Sequence, residues 1–415
     1  TSAVTTGSLG DYFGLPINQN NVLTLVSALP FRAYNQIFNY WFRDQNLTDS
    51  LNETKTDGPD GISVYALQKR AKRHDYFTSA LPWPQKGDAV TMPLGTSAPI
   101  YTDETPASLN DVVIADGIGS STEVLLNAAA TNLRVGSAVV DTVNLFADLQ
   151  NATAPSINDV RLAFQTQRLL ERDARSGTRY PETVHAHFGV TVPDFRVQFP
   201  EYLGGGSTPV NVSPVAQTTA AATPGSPTAD DKHGRLAGIG TASGTHGFTK
   251  SFVEHGILIG LVNARADITY SQGIERFWSK STRYDFYYPV LAHIGEQSIL
   301  NQEIFYADNA GTGASQDQGV FGYQERSAEY RFKPSRLTGL FKPDATGTLA
   351  AWHLSEDFSS LPALNNTFIE SNTSTPLDRA IAVNTEPHFI FDAYFDMKCA
   401  RPMPLFGIPG NLDRF

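Results

Sequence analysis

The chain has 415 residues, 41% of them hydrophobic and 11% aromatic, which is enough to bury a large core and too apolar for a chain disordered along its length. A net charge of −11 at pH 7 excludes a surface that is basic all over, although not a local basic face. With 33 Gly and 25 Pro, breakers are too frequent for long helices to dominate, so the bias is towards strands joined by long loops.

The first ten residues lack the basic and apolar regions of a secretory signal, and no stretch approaches the roughly 18 apolar residues that span a bilayer. A soluble intracellular chain with no membrane contact is the expectation. The single cysteine, Cys399, allows no intrachain disulfide and no thiolate metal cluster.

In chain order, the first periodic segment is 29–43, where Phe31, Tyr34, Phe38, Trp41 and Phe42 recur at helical spacing. Pro30 suits the first turn, where its missing N–H costs nothing. Phe38, Trp41 and Phe42 are read as core or subunit interface; if Trp41 is core, truncating it costs about 3 to 5 kcal/mol. Residues 64–67 and 89–92 are short strand candidates around the bend Leu81-Pro-Trp-Pro84.

A second helix is predicted over about 157–174, opened by Ser156 and Asp159 as a reciprocal cap and stopped by Gly177. From 251 the chain turns strand-like, with 257–262 an apolar run bounded by glycine. Near the C-terminus, Phe389, Phe391, Ala393, Phe395, Met397 and Cys399 alternate with mostly polar residues. That period of two predicts a strand with one buried face, which would make Cys399 a small buried apolar residue. Residues 95–143, 204–247 and 308–319 read as loops.

Signatures of catalysis are absent: no P-loop, no nucleophile elbow, no dinucleotide fingerprint. Gly204-Gly-Gly206 lacks the Lys-Ser/Thr that makes a glycine loop a phosphate site. His185 and His187 have no third ligand nearby, and neither Glu254 with His255 nor His353 with Asp357 has a nucleophile beside it. No cofactor is expected.

Two basic features stand out. Lys69-Arg-Ala-Lys-Arg-His74 is one. The other is Arg161, Arg168, Arg172, Arg175 and Arg179, whose spacing on a continuing helix keeps them within roughly 60° of one another. Arg168, Arg172, Arg175 and Arg179 are the candidates for nucleic-acid contact, against the plainer reading of a solvated face.

The run Ala28-Leu-Pro-Phe-Arg-Ala-Tyr-Asn35 with Trp41-Phe-Arg-Asp-Gln-Asn46 resembles the most characteristic segment of gokushovirus-type microvirus major capsid proteins. The likeness continues in order through Arg73-His-Asp-Tyr-Phe-Thr-Ser-Ala-Leu-Pro-Trp-Pro-Gln-Lys-Gly87, Leu169-Leu-Glu-Arg-Asp-Ala-Arg175, Pro200-Glu-Tyr-Leu-Gly-Gly-Gly-Ser-Thr-Pro-Val210 and Gly322-Tyr-Gln-Glu-Arg326, ending at Cys399-Ala-Arg-Pro-Met-Pro404.

The resemblance implies a mainly β protein: one antiparallel viral jelly-roll domain, a two-sheet sandwich over 1–415 with long insertions and a few helices. In that scheme 95–143 is a variable surface loop, a short version of the family's threefold protrusion, and 204–247 a flexible loop. On the same resemblance, the family's N-terminal strands are expected to be absent from residues 1–415. The implied partners are further copies in an icosahedral shell built through pentamers, packaged single-stranded DNA, a small basic packaging protein, a pilot protein and a host receptor. The implied location is the virion, assembled in the bacterial cytoplasm. A carbohydrate-active β-sandwich is the alternative, but Asp392 and Asp396, four residues apart on one strand, would sit roughly 13 Å apart, too far for the usual carboxylate pair.

Overall fold

The computed structural model describes residues 3–19, 22–91, 100–102, 113–115, 122–124, 145–147, 156–193, 199–216, 236–307, 314–370, 376–381 and 386–401. Two apolar clusters organise them.

The smaller cluster is N-terminal. Helix α1 (Leu9–Tyr12) contributes Leu9, and α2 (Leu29–Ile37) contributes Phe31 and Tyr34, packed with Tyr65. Pro30 lies in the first turn of α2, where its lost donor has no intrahelical partner in any case. The helix does not run on as an α-helix to Arg43. Instead Arg43 N donates to Phe38 O across 2.9 Å, closing a π-turn over Phe38–Phe42. That wider turn falls behind the 100° rotation per residue, so Phe38 stays buried while Trp41 is carried off the stripe and left 47% exposed.

Polar groups fasten this cluster. Asn35, fully buried, donates from Nδ2 to Asn52 O at 3.0 Å and Val64 O at 3.3 Å, and Gln68 N donates to the Tyr34 hydroxyl at 2.9 Å. These bonds occupy backbone groups a ladder would have used, so 64–67 forms no strand; 89–91 has none either, and Met92 lies outside the described residues. Arg32 grips Asp60 through both carboxylate oxygens, at 2.7 and 2.8 Å, and the Tyr65 hydroxyl donates to the same carboxylate.

The Arg32 guanidinium, followed by Tyr65, holds the Asp60 carboxyl below its ordinary range. Stability from this contact is therefore complete above the unfolded aspartate pKa and is lost as pH falls through the depressed folded value. Asp60→Asn is expected to flatten the stability profile below about pH 4. Chemical denaturation across that range checks it, and an unaltered acid limb would contradict the assignment.

The larger cluster joins Tyr76, Phe77, Ile299, Ile304, Phe321, Phe368 and Ile369. Here β7 (Glu296–Leu300) pairs antiparallel with β8 (Val320–Glu325). On the far side of β8, Leu81 and Tyr323 exchange two backbone bonds of 2.8 Å, which brings in the segment after Tyr76. Buried Gln324 is satisfied by Tyr76 O at 3.0 Å and Ser79 Oγ at 2.7 Å. Rings close the core edge to face, Phe77 on Tyr270 at 5.0 Å and Phe321 on Phe368 at 5.3 Å. Beneath it the Glu303 carboxylate accepts from the Tyr76 hydroxyl at 3.0 Å and from Arg276 at 2.9 Å; burial pushes its pKa up and Arg276 opposes that.

The other sheets are also two-stranded and antiparallel: β1 (Ile100–Thr102) with β4 (Leu145–Ala147), β2 (Val113–Ala115) with β3 (Thr122–Val124), and β5 (Asn211–Ala216) with β6 (Leu236–Thr241). Residues 204–247, read as a loop, thus contain a ribbon of six residue pairs. Pro214, Gly238 and Gly240 hide its alternation, and the two glycines have a packing reason. A Cβ on Gly238 would meet Val212 Cγ1 at 3.0 Å, and one on Gly240 would meet Val210 Cγ1 at 3.0 Å, both across the ribbon. Of 95–143, only 100–102, 113–115 and 122–124 are described, as short strands.

Among the described residues no sheet exceeds two strands and none closes, so the two packed sheets of a jelly roll are not formed there. The C-terminal strand expected over 389–399 is likewise irregular, with Phe389, Phe391, Phe395, Met397 and Cys399 all exposed. Cys399 is therefore not a core residue. An alternating segment buries a face only when another element covers it, and no described segment of this chain forms a ladder with 386–401. The run 257–262 is irregular for the same reason, with Ile257, Leu258 and Val262 exposed.

Candidate assembly and nucleic-acid surfaces

Helix α3 (Ile157–Ser176) begins at the predicted cap: Asp159 N donates to Ser156 Oγ, and Ser156 N donates back to Asp159 Oδ2, both at 3.1 Å. It ends at Gly177, whose φ of 87° lies in the left-handed region that favours glycine. Only Ala174 is buried along its twenty residues, while Leu162, Phe164 and Leu169 stand in solvent. Helix α4 (Tyr180–Phe188) follows at once, and His187 Nε2 meets Asp173 Oδ1 at 2.6 Å to hold the two together. Two residues apart on a helix, His185 and His187 point in different directions, and the described residues contain no metal-binding group of His, Cys, Asp and Glu.

The arginine stripe divides. Arg179 does not lie on α3; it caps α4, pairs with Glu182 at 2.9 Å, donates to Asn39 O at 2.5 Å and lies 5.1 Å from the Tyr40 ring. Arg175 does lie on α3, but both ends of its guanidinium are taken by Glu296 on β7, the Nε bond measuring 2.8 Å. Arg168 and Arg172 are exposed and make no ion pair among the described residues. Arg161, on the same face, is a third of this kind. Three unspent cations on one exposed helix face, beside exposed Phe164, form a basic surface.

The run at 69–74 behaves differently. Lys72 is buried against Glu356 at 2.7 Å and over the Phe368 ring at 4.6 Å; Arg70 covers the Phe42 ring at 4.4 Å; Arg73 meets Asp267 at 2.9 Å. Arg70 and Lys72 thus build the fold, while Lys69, Arg73 and His74 stay exposed.

The aromatic set divides as well. Phe38 is core, and Phe42 is half-buried under Arg70. Trp41 donates from Nε1 to Pro200 O at 2.7 Å beside Tyr202, while Tyr40 stacks on Phe199 at 4.9 Å. Trp41→Ala is thus expected to cost the isolated chain about 1 kcal/mol, one exposed hydrogen bond, rather than the loss of a core aromatic. A fall in unfolding free energy above about 3 kcal/mol, the low end for a buried aromatic, would return Trp41 to the core.

Periodicity gave no sign of one further surface. Residues 276–288 hold six aromatics in thirteen positions, and most of those rings are exposed. Their density was the available signal.

The profile of the family described as "Capsid protein (F protein)" matches residues 1–411. The chain belongs to this phage capsid family. Capsid protein VP1 of Bdellovibrio phage phiMH2K is 45% identical over 424 residues, covering 98% of this chain and 77% of that protein. Capsid protein VP1 of Chlamydia phage 1 is 40% identical over 469 residues, covering 97% and 77%. Capsid protein VP1 of Spiroplasma virus 4 is 35% identical, covering 97% and 76%. A member of a capsid family is a structural protein, not an enzyme, which decides against the carbohydrate-active alternative. The surfaces that need explanation are accordingly contact surfaces.

Proposed function

We propose that the chain is the major coat protein of a small single-stranded DNA phage, assembling through pentamers into a closed icosahedral shell. The observation that carries this reading, beside family membership, is the exposure of large apolar side chains among the described residues: Trp278 is 70% exposed, and Phe395, Tyr394 and Val253 are more so. Side chains of that kind are covered when neighbours pack against them.

The exposed alternating residues of 386–401 support a jelly roll completed when those edges are paired. The unspent Arg161, Arg168 and Arg172 support contact with the packaged genome, since phosphate binding without base readout needs only free cations at a suitable spacing. Insertions at 95–143 and 204–247 belong to the outer contact regions on this reading. A packaging protein, a pilot protein and a receptor complete the proposed set of partners.

Electron microscopy of the purified full chain tests the proposal. Closed particles of uniform diameter are expected, and a chain that stays monomeric at high concentration under every assembly condition would overturn it.

A further inference from the structure

Between Arg276 and Tyr288 the usual arrangement of a surface segment is reversed. Trp278 is 70% exposed, and Phe277, Tyr284 and Tyr287 are each more than half exposed. Two of the three cations of the same segment, Arg276 and Lys280, turn inward. The Lys280 side chain keeps only 3% exposure, held by Glu329 at 3.0 Å and the Tyr330 hydroxyl at 2.9 Å. Arg276 reaches Ser298 O at 2.6 Å and Glu303 at 2.9 Å.

The backbone is pinned to match. Asp285 accepts from Ser281 N at 3.1 Å and Thr282 N at 2.7 Å, and Arg326 donates to Tyr284 O at 2.6 Å. Polar anchors thus fix a segment whose rings gain little within the isolated chain. Each such ring hides roughly 150 to 250 Å² when covered, so the stabilisation they offer is realised only against a partner.

We infer that residues 277–290 form a contact surface for a second copy of this chain, an inference that rests on the shell reading above. Charge decides between a protein and a nucleic-acid partner. A base-stacking surface needs free cations to track the backbone, but Lys280 and Arg276 are spent on Glu329 and Glu303. Arg283 is the one exposed cation of the segment and lies against the ring of Tyr284 at 4.9 Å. A row of cations without ion pairs among the described residues, Arg161, Arg168 and Arg172, is on α3 instead. What remains is a Trp- and Tyr-rich patch with Arg283 as its one exposed cation and exposed Val290 at its end, and that is the composition of a protein interface, where Trp, Tyr and Arg dominate the energetics. Membership of a capsid family places the chain among proteins with interfaces between copies to fill.

The test is hydroxyl-radical footprinting of Trp278 and Tyr287 in the full chain, as dissociated subunits, DNA-free particles and filled particles. Both residues are expected to be reactive in subunits and protected in both kinds of particle. Protection in filled particles alone would overturn the inference and assign the rings to the genome, and equal reactivity throughout would overturn it too. In parallel, the double variant Trp278→Ser, Tyr287→Ser should melt as dissociated subunits at the wild-type temperature and associate at least about thirtyfold more weakly. Assembly of that variant at wild-type concentrations would overturn the inference while leaving the shell reading intact. If the wild-type chain forms no particles at all, the shell reading fails and this surface fails with it.

Discussion

Phe368→Ala is expected to lower the unfolding free energy of the dissociated subunit by about 3 to 5 kcal/mol, the cost of removing a large buried aromatic and leaving its cavity. Phe368 is 6% exposed and meets Phe321 edge to face at 5.3 Å, Tyr270 at 6.3 Å and Phe358 at 6.3 Å. It also lies under the Lys72 ammonium, whose partner Glu356 is buried too. Truncation therefore removes packing and uncovers a buried ion pair together. The control is Phe395→Ala: this residue is exposed in the chain, and its loss should move subunit stability by no more than about 0.5 kcal/mol. Urea denaturation of both variants checks the pair. A loss below about 1 kcal/mol at Phe368, far under the cost of a buried aromatic, would mean that the aromatic cluster is not the centre of the core.

Replacing Arg161, Arg168 and Arg172 together with Gln is expected to reduce packaged DNA strongly while empty shells still form. Taking three cations away from the phosphates of a single strand should also lower the slope of log affinity against log salt by about 2. Arg175 is left out of the set because its partner is Glu296 within the same chain. Arg175→Gln would strand a mostly buried carboxylate and should destabilise the subunit itself. Nuclease-protected DNA per particle, together with a salt titration of oligonucleotide binding, separates the two effects. Wild-type DNA content in the triple variant would remove α3 from the genome surface, and loss of the shells would make it a subunit interface.

Features set by neighbours three or four residues away were legible in advance. The Ser156 and Asp159 cap, the stop at Gly177 and the place of Pro30 all came out as the spacing predicted, because capping and helical turns are local physics. The family, too, was recognisable from collinear motifs alone, and its profile matches residues 1–411.

Other features depended on residues far away in the chain. Arg175 looked like a member of a free stripe until β7 brought Glu296, 121 positions on, against it. Arg179 left the stripe because two helices meet at Gly177. The 69–74 run looked like a basic patch, yet Lys72 is neutralised by Glu356 and Arg73 by Asp267. Trp41 kept the helical period in sequence but not in space, since a π-turn is closed by a backbone bond that side-chain periodicity does not encode.

By itself, the sequence determined the cap and stop of α3, that no intrachain disulfide can form, and which capsid family the chain resembles. Only the tertiary structure decided which charges are spent and which rings face outward. Periodicity says that a face is apolar or basic, but whether that face is covered depends on meetings between segments distant in the chain, as Arg175 and Glu296 show.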